Sequence, residues 1–129
     1  MTGIDPSSKA ITDLRKNASE IGVQVSVEQV HFENHSPTDK HYSAILAFGL
    51  IPILTRAQIQ ELMQKLFMWS CKGSIIFITA FLSSDINYMH WKTNGKEIGR
   101  HSYQKPDGRI RTFLHDGELL SFFKGWEII

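Results

Sequence analysis

The run Ser74-Ile75-Ile76-Phe77-Ile78-Thr79-Ala80-Phe81 constrains the fold more than any other stretch of this chain. It is rich in β-branched and aromatic residues and barely alternates between apolar and polar. Such a strand is expected to be covered on both faces, as in a parallel sheet. Upstream, Tyr42 to Phe48 forms a second short apolar run that ends at Gly49. Thr55 with Gln58 fits a capping box, and Ile59, Leu62, Met63, Leu66 and Phe67 then mark one helix face. Residues 42–81 are therefore predicted as a strand–helix–strand unit with a right-handed crossover, which places the chain among the α/β folds.

The flanks extend this pattern. Ala10, Ile11, Leu14, Ala18 and Ile21 share a face at helical spacing, with Asp5-Pro6-Ser7 as a start signal and Gly22 as a stop. Val23, Val25 and Val27 alternate with polar residues, so 23–30 reads as a strand. Residues 33–41 are polar, contain Pro37 and read as a loop. Residues 82–112 read as an irregular insertion that holds Tyr88, His90, Trp91, His101 and Tyr103; a segment of that length is usually functional or mobile. Asp116 is expected to cap a short helix, 117–124, that buries Leu119, Leu120 and Phe123. Gly125 then ends it, and Trp126-Glu127-Ile128-Ile129 begins a strand. The 129 residues suffice for one domain, and 1–129 is read as a single, partial one. The chain opens where a strand should be finishing and stops on apolar residues. Neighbouring sequence, or a partner, is therefore expected to complete it.

Composition narrows the function. The balance of 14 basic against 13 acidic residues creates no net field for polyanions, so no nucleic-acid partner is expected. No apolar run approaches a membrane span, and the N-terminus has no signal-peptide pattern. With one cysteine, Cys71, the chain is expected in the reducing cytoplasm. Cys71 reads as a structural residue at a helix end more readily than as an activated thiol. The six histidines are scattered and form no ligand spacing, so no metal is assigned.

Four stretches carry a family resemblance. Gly3-Ile4-Asp5-Pro6-Ser7-Ser8-Lys9-Ala10-Ile11 resembles the second-strand motif of class I S-adenosylmethionine-dependent methyltransferases, in which an acidic residue ends the strand. Tyr42-Ser43-Ala44-Ile45-Leu46-Ala47-Phe48-Gly49-Leu50 resembles their fourth strand, and Lys72-Gly73-Ser74 the turn into their fifth. Residues 117–127 are similar to the late helix and sixth strand, most of all in the tellurite-resistance methyltransferases. The resemblance implies an incomplete Rossmann-like fold, with a mostly parallel sheet and helices on both faces. It implies S-adenosylmethionine as cofactor and a small-molecule acceptor. Ser43 stands where the family often has Asp, and Ser74 where it usually has a second Gly. The family's first strand and glycine-rich turn would precede Met1, and its final hairpin is cut short. Little activity is therefore expected of the chain by itself. The alternative is a non-catalytic remnant that acts as an interaction module, pairing its strand edges in a homodimer or with a complementary segment.

Methyl transfer is an in-line displacement from an activated donor, so the protein chiefly binds and aligns. No catalytic residue is singled out. On the local pattern Asp5 reads more readily as a turn or helix-cap residue; the resemblance implies instead that it accepts hydrogen bonds from the ribose hydroxyls. Phe32 and Glu33 are candidates for the adenine, by stacking and by accepting from its amino group, or else a core Phe and a solvated Glu. Phe48 and Gly49 follow the fourth strand and are candidates for the cofactor floor, or a plain turn. Trp91, Arg100, His101 and Arg111 are candidates for the acceptor side, with Arg109 a further cation and Tyr88 a shield from water; alternatively these charges are simply solvated.

Overall fold

The computed structural model describes residues 1–37 and 41–129. The chain, read above as one domain, packs as two compact units, Met1–Asp39 and Lys40–Ile129. The first holds strand β1 (Thr2–Ile4), helix α1 (Ser8–Glu20), strand β2 (Ser26–Glu28) and one 3-10 turn, Phe32–Asn34. Ser7 caps α1 by accepting from the Ala10 N–H. The helix buries Ile11 and Ala18. Strands β1 and β2 pair in parallel, from Thr2 opposite Ser26 to Ile4 opposite Glu28.

Two expectations change here. Ile21 is exposed, because it is the C-cap and no longer follows the inner face. The strand expected over 23–30 is confined to three residues. Gly22, at φ 68°, turns the chain so that its N–H donates to Ser19 O and that of Val23 to Ala18 O. This Schellman closure occupies Val23 with the helix end and delays the strand.

The second unit runs β3 (Ala44–Ala47), a 3-10 turn (Ile51–Ile53), α2 (Arg56–Trp69), β4 (Ile75–Ile78), β5 (Phe81–Leu82), α3 (Tyr88–Asn94), β6 (Lys96–Gly99), β7 (Ser102–Gln104), β8 (Ile110–Leu114) and α4 (Glu118–Phe122). Strands β3 and β4 pair in parallel, Ala44 opposite Ile75 through Ala47 opposite Ile78, with α2 as the connection. Both arms of the Thr55–Gln58 capping box form. Helix α2 buries Ile59, Leu62, Met63 and Leu66 as expected, and also Trp69. Phe67, placed on the same stripe by spacing, is partly exposed and meets the rings of Phe123 and Trp126 edge-on or tilted. In the turn before β4, Ser74 Oγ accepts from the Cys71 N–H and donates to Tyr42 O, at 2.9 and 2.7 Å. The hydroxyl that departs from a Gly-Gly turn thus ties β4 to the approach of β3. Strand β4 is not covered on both faces: Ile75 and Phe77 stay exposed.

The segment read as an irregular insertion is ordered. Strands β6, β7 and β8 form an antiparallel meander, with a bulge between Glu97 and Gly99. The other edge of β8 pairs in parallel with β5, Phe81 opposite Phe113. The sheet is therefore mixed, where a mostly parallel one was expected. Thr112, Phe113 and Leu114 of β8 are fully buried. The Thr112 hydroxyl donates to Leu54 O at 2.6 Å and meets Ser102 Oγ at 2.6 Å, which satisfies both buried hydroxyls. Helix α4 is capped at Gly117, in the left-handed region, and not by Asp116. It buries neither Leu119 nor Leu120 fully, and 126–129 form no strand. No helix among the described residues is long and apolar enough to cross a membrane.

Candidate functional site

In α/β sheets, ligands sit beyond the carboxyl ends of parallel strands. In the first unit that position belongs to Asp5, directly after β1. Its Oδ1 accepts from the Ser7 N–H at 2.7 Å, and its own N–H donates to Glu28 O. The cap-turn role and a ligand role coexist, since each carboxylate oxygen has two acceptor positions. Beyond β2, Phe32 is 7% exposed, so its ring presents no open face for stacking. Glu33 follows it, half-buried. Glu28 Oε2 meets Nδ1 of the buried His35 at 3.0 Å, a contact that holds the chain close after the turn.

In the second unit, Phe48 and Gly49 follow β3. Phe48 is 59% exposed, an aromatic surface free to meet a ligand. Gly49 adopts φ 66°, and its N–H donates to Thr79 Oγ1 at 2.9 Å, which joins the carboxyl ends of β3 and β4. No atom lies within 4 Å of where a Cβ would stand, so the glycine serves the backbone conformation and leaves open space above it.

The acceptor-side candidates divide. Trp91 is 7% exposed and packs with Tyr103 and Phe113. The Lys105 ammonium and the Arg111 guanidinium lie 4.5 and 5.3 Å from its ring centre, so the ring is core and Arg111 serves as its cover. Arg109 pairs with Asp107, which holds that carboxyl below its ordinary range. Arg100 and His101 occupy the β6–β7 turn. Arg100 is exposed, and its carbonyl accepts from Arg56 Nε at 2.6 Å. His101 is half-buried, with Nδ1 2.6 Å from Tyr88 Oη, which lies 3.2 Å from Tyr103 Oη. Burial, then repulsion from Arg100, Arg56 and His115, holds the His101 pKa below its ordinary value, against attraction from Glu118. Burial and the Tyr88 hydrogen bond push Tyr103 well up.

Residues 1–73 match the family described as a methyltransferase domain. The chain belongs to that family. Among solved structures, one described as the "DhpI-SAM-HEP complex" matches with a TM-score of 0.63 at 14% identity, over 95% of this chain and 56% of that one. At this identity the likeness carries the fold alone. The chain spans little more than half the length of that neighbour. No curated protein matches it in sequence.

The methyltransferase match takes in β1 through the turn before β4, and hence Asp5, Phe32, Glu33, Phe48 and Gly49. Arg56, within the match, joins residues that lie beyond the match in a constellation that spacing did not reveal. Arg56, on the first turn of α2, donates to Glu118 and to the carbonyls of Phe113 and Arg100. Glu118 Oε2 in turn accepts from the His115 N–H at 2.8 Å. Arg56 and Glu118 stand 62 residues apart, and no local pattern links them. Tyr88 and His101, by contrast, are visible in sequence as aromatic and basic residues of one segment, though their contact is not.

Proposed function

We propose that this methyltransferase domain serves S-adenosylmethionine-dependent methyl transfer to a small-molecule acceptor. The observation that carries the reading is a half-buried carboxylate, Asp5, oriented by a backbone N–H at the carboxyl end of a parallel strand within the matched residues. In the first unit, Asp5 would accept from the ribose hydroxyls and Glu33 from the adenine amino group. Phe32 backs that segment from the interior. In the second unit, Phe48 would lend an apolar face, and Gly49 room for close approach. The bound cofactor supplies a methyl group already activated on its sulfonium. The acceptor side is assigned to Arg100 and His101, while Trp91 and Arg111 serve the packing of the same unit. The likeness of 117–127 to tellurite-resistance enzymes supports no particular acceptor, because those residues cap, pack or face solvent.

Titration calorimetry with S-adenosylhomocysteine tests the cofactor reading. The chain should bind it, and Asp5→Asn, which keeps the acceptor for Ser7, should weaken binding about tenfold, the size of one charge-assisted hydrogen bond. No heat from a chain shown by circular dichroism to be folded would overturn it.

One observation favours the second reading, an interaction module. Leu46, Ile75 and Phe77 are exposed on the β3–β4 pair, and an open groove of about 900 Å³ runs between β4 and residues 125–129. A tight dimer by light scattering, without affinity for S-adenosylhomocysteine, would favour that reading over methyl transfer.

A further inference from the structure

The β6–β7 turn carries a second unusual feature. His101, at φ 54°, is the one non-glycine residue among those described with a positive φ. Histidine tolerates this region better than most residues, yet it is held there only when its surroundings over-determine it. They do so from both sides. Arg56 Nε holds the carbonyl of Arg100, and the Phe113 N–H donates to the carbonyl of His101. The imidazole is thereby set against Tyr88, ring centres 5.4 Å apart, with His115 at 6.3 Å.

The hydroxyl chain decides where the imidazole keeps its proton. Tyr103 is 3% exposed, and among the described residues its hydroxyl meets only that of Tyr88. A buried O–H left without an acceptor is strongly disfavoured. Tyr103 must therefore donate to Tyr88 Oη. The Tyr88 proton is then directed to His101 Nδ1, which accepts it. The single proton of the neutral ring is left on Nε2. The reverse order, with Nδ1 donating to Tyr88 and Tyr88 to Tyr103, would strand the buried Tyr103 proton. The lowered His101 pKa keeps the ring neutral near neutral pH, so this choice of tautomer matters.

We infer that His101 presents an Nε2–H donor, set by Tyr103 through Tyr88, and that with the exposed Arg100 guanidinium it forms a binding site for an oxyanion, carboxylate or phosphate. The charges around it agree. Glu118, the carboxylate that acts on His101, is engaged by Arg56 and by the His115 N–H. Arg100, the preceding residue, is exposed, and among the described residues no carboxylate pairs with its guanidinium. On the methyl-transfer reading, which this assignment extends, the acceptor is a small molecule bearing such an anionic group. Tyr88 and Tyr103 act as positioning residues.

Nitrogen-15 NMR of the chain labelled at histidine and arginine tests this without any methyl transfer. His101 should show a protonated Nε2 and an unprotonated Nδ1 at neutral pH. Tyr103→Phe, which does not touch His101, should mix the two tautomers. Acetate and inorganic phosphate should shift the His101 and Arg100 signals saturably, and Arg100→Ala should weaken that binding about tenfold. A wild-type ring protonated on Nδ1 would overturn the inference, as would a titration with no saturation or one unchanged by Arg100→Ala. Anion binding without S-adenosylhomocysteine binding would remove the methyl-transfer reading and leave this site standing. The converse result would remove the site alone.

Discussion

Strands β8 and β4 lie in the same unit and are written in similar residues, yet their fates differ. Thr112, Phe113 and Leu114 of β8 are wholly buried between β5 and β7, whereas Ile75 and Phe77 of β4 stay exposed beside the open groove. By composition β4 is the more apolar of the two. Burial is decided by what covers a strand, not by its own hydrophobicity. The covered strand holds the unit together. The uncovered one, with Phe48 near it, is where a ligand or another chain has something to gain.

The largest effect should come from exchanging depth. Phe113→Ala should lower unfolding stability by about 3–5 kcal/mol, while Phe77→Ala should cost about 1 kcal/mol or less. Guanidinium midpoints of the two variants measure this directly, and equal shifts would break the comparison. Next, Thr112→Val removes the hydroxyl that Leu54 O and Ser102 share, at an expected loss of about 1–3 kcal/mol. A neutral result would mean that shape, not polar satisfaction, holds β8 in place. Thr55→Ala, at the start of α2, should cost about 1 kcal/mol, and Thr55→Ser should restore most of it.

The smallest effect is a pH slope. The folded His101 pKa lies below the unfolded one, so the unfolded chain takes up the proton first as pH falls. Its contribution to stability is whole above about pH 6.5, the unfolded value, and is lost as pH drops from there toward the folded pKa. Stability measured at neutral pH and in mild acid should converge in His101→Asn relative to the wild type. An unchanged slope would mean that His101 is not the group responsible.

Much of this was legible in the chain. The Asp5-Pro6-Ser7 start, the Gly22 stop and the Thr55–Gln58 box are local signals, complete within four residues, and all are realised. The parallel pairing of β3 with β4 followed from two apolar runs around one amphipathic helix. The meander of β6, β7 and β8 was not legible. Its strands are short, and its buried positions include Ser102 and Thr112, polar residues whose partners lie ten and 58 residues away. The candidate site shows the same division. Asp5, Phe48 and Gly49 announce themselves as strand-end residues, while the burial of Phe32 and Trp91 is a matter of packing.

The sequence by itself determined where α1 and α2 begin and where α1 ends, that β3 and β4 pair in parallel, and that Asp5 and Phe48 stand at strand ends, because these depend on hydrogen bonds and periodicity within a few residues. Only the tertiary structure decided that Trp91 is core, that Arg56 joins Glu118 to the β6–β7 turn, and that Tyr103 reaches His101 through Tyr88. Those outcomes are set by contacts between residues far apart in the chain, and such contacts leave no period behind them.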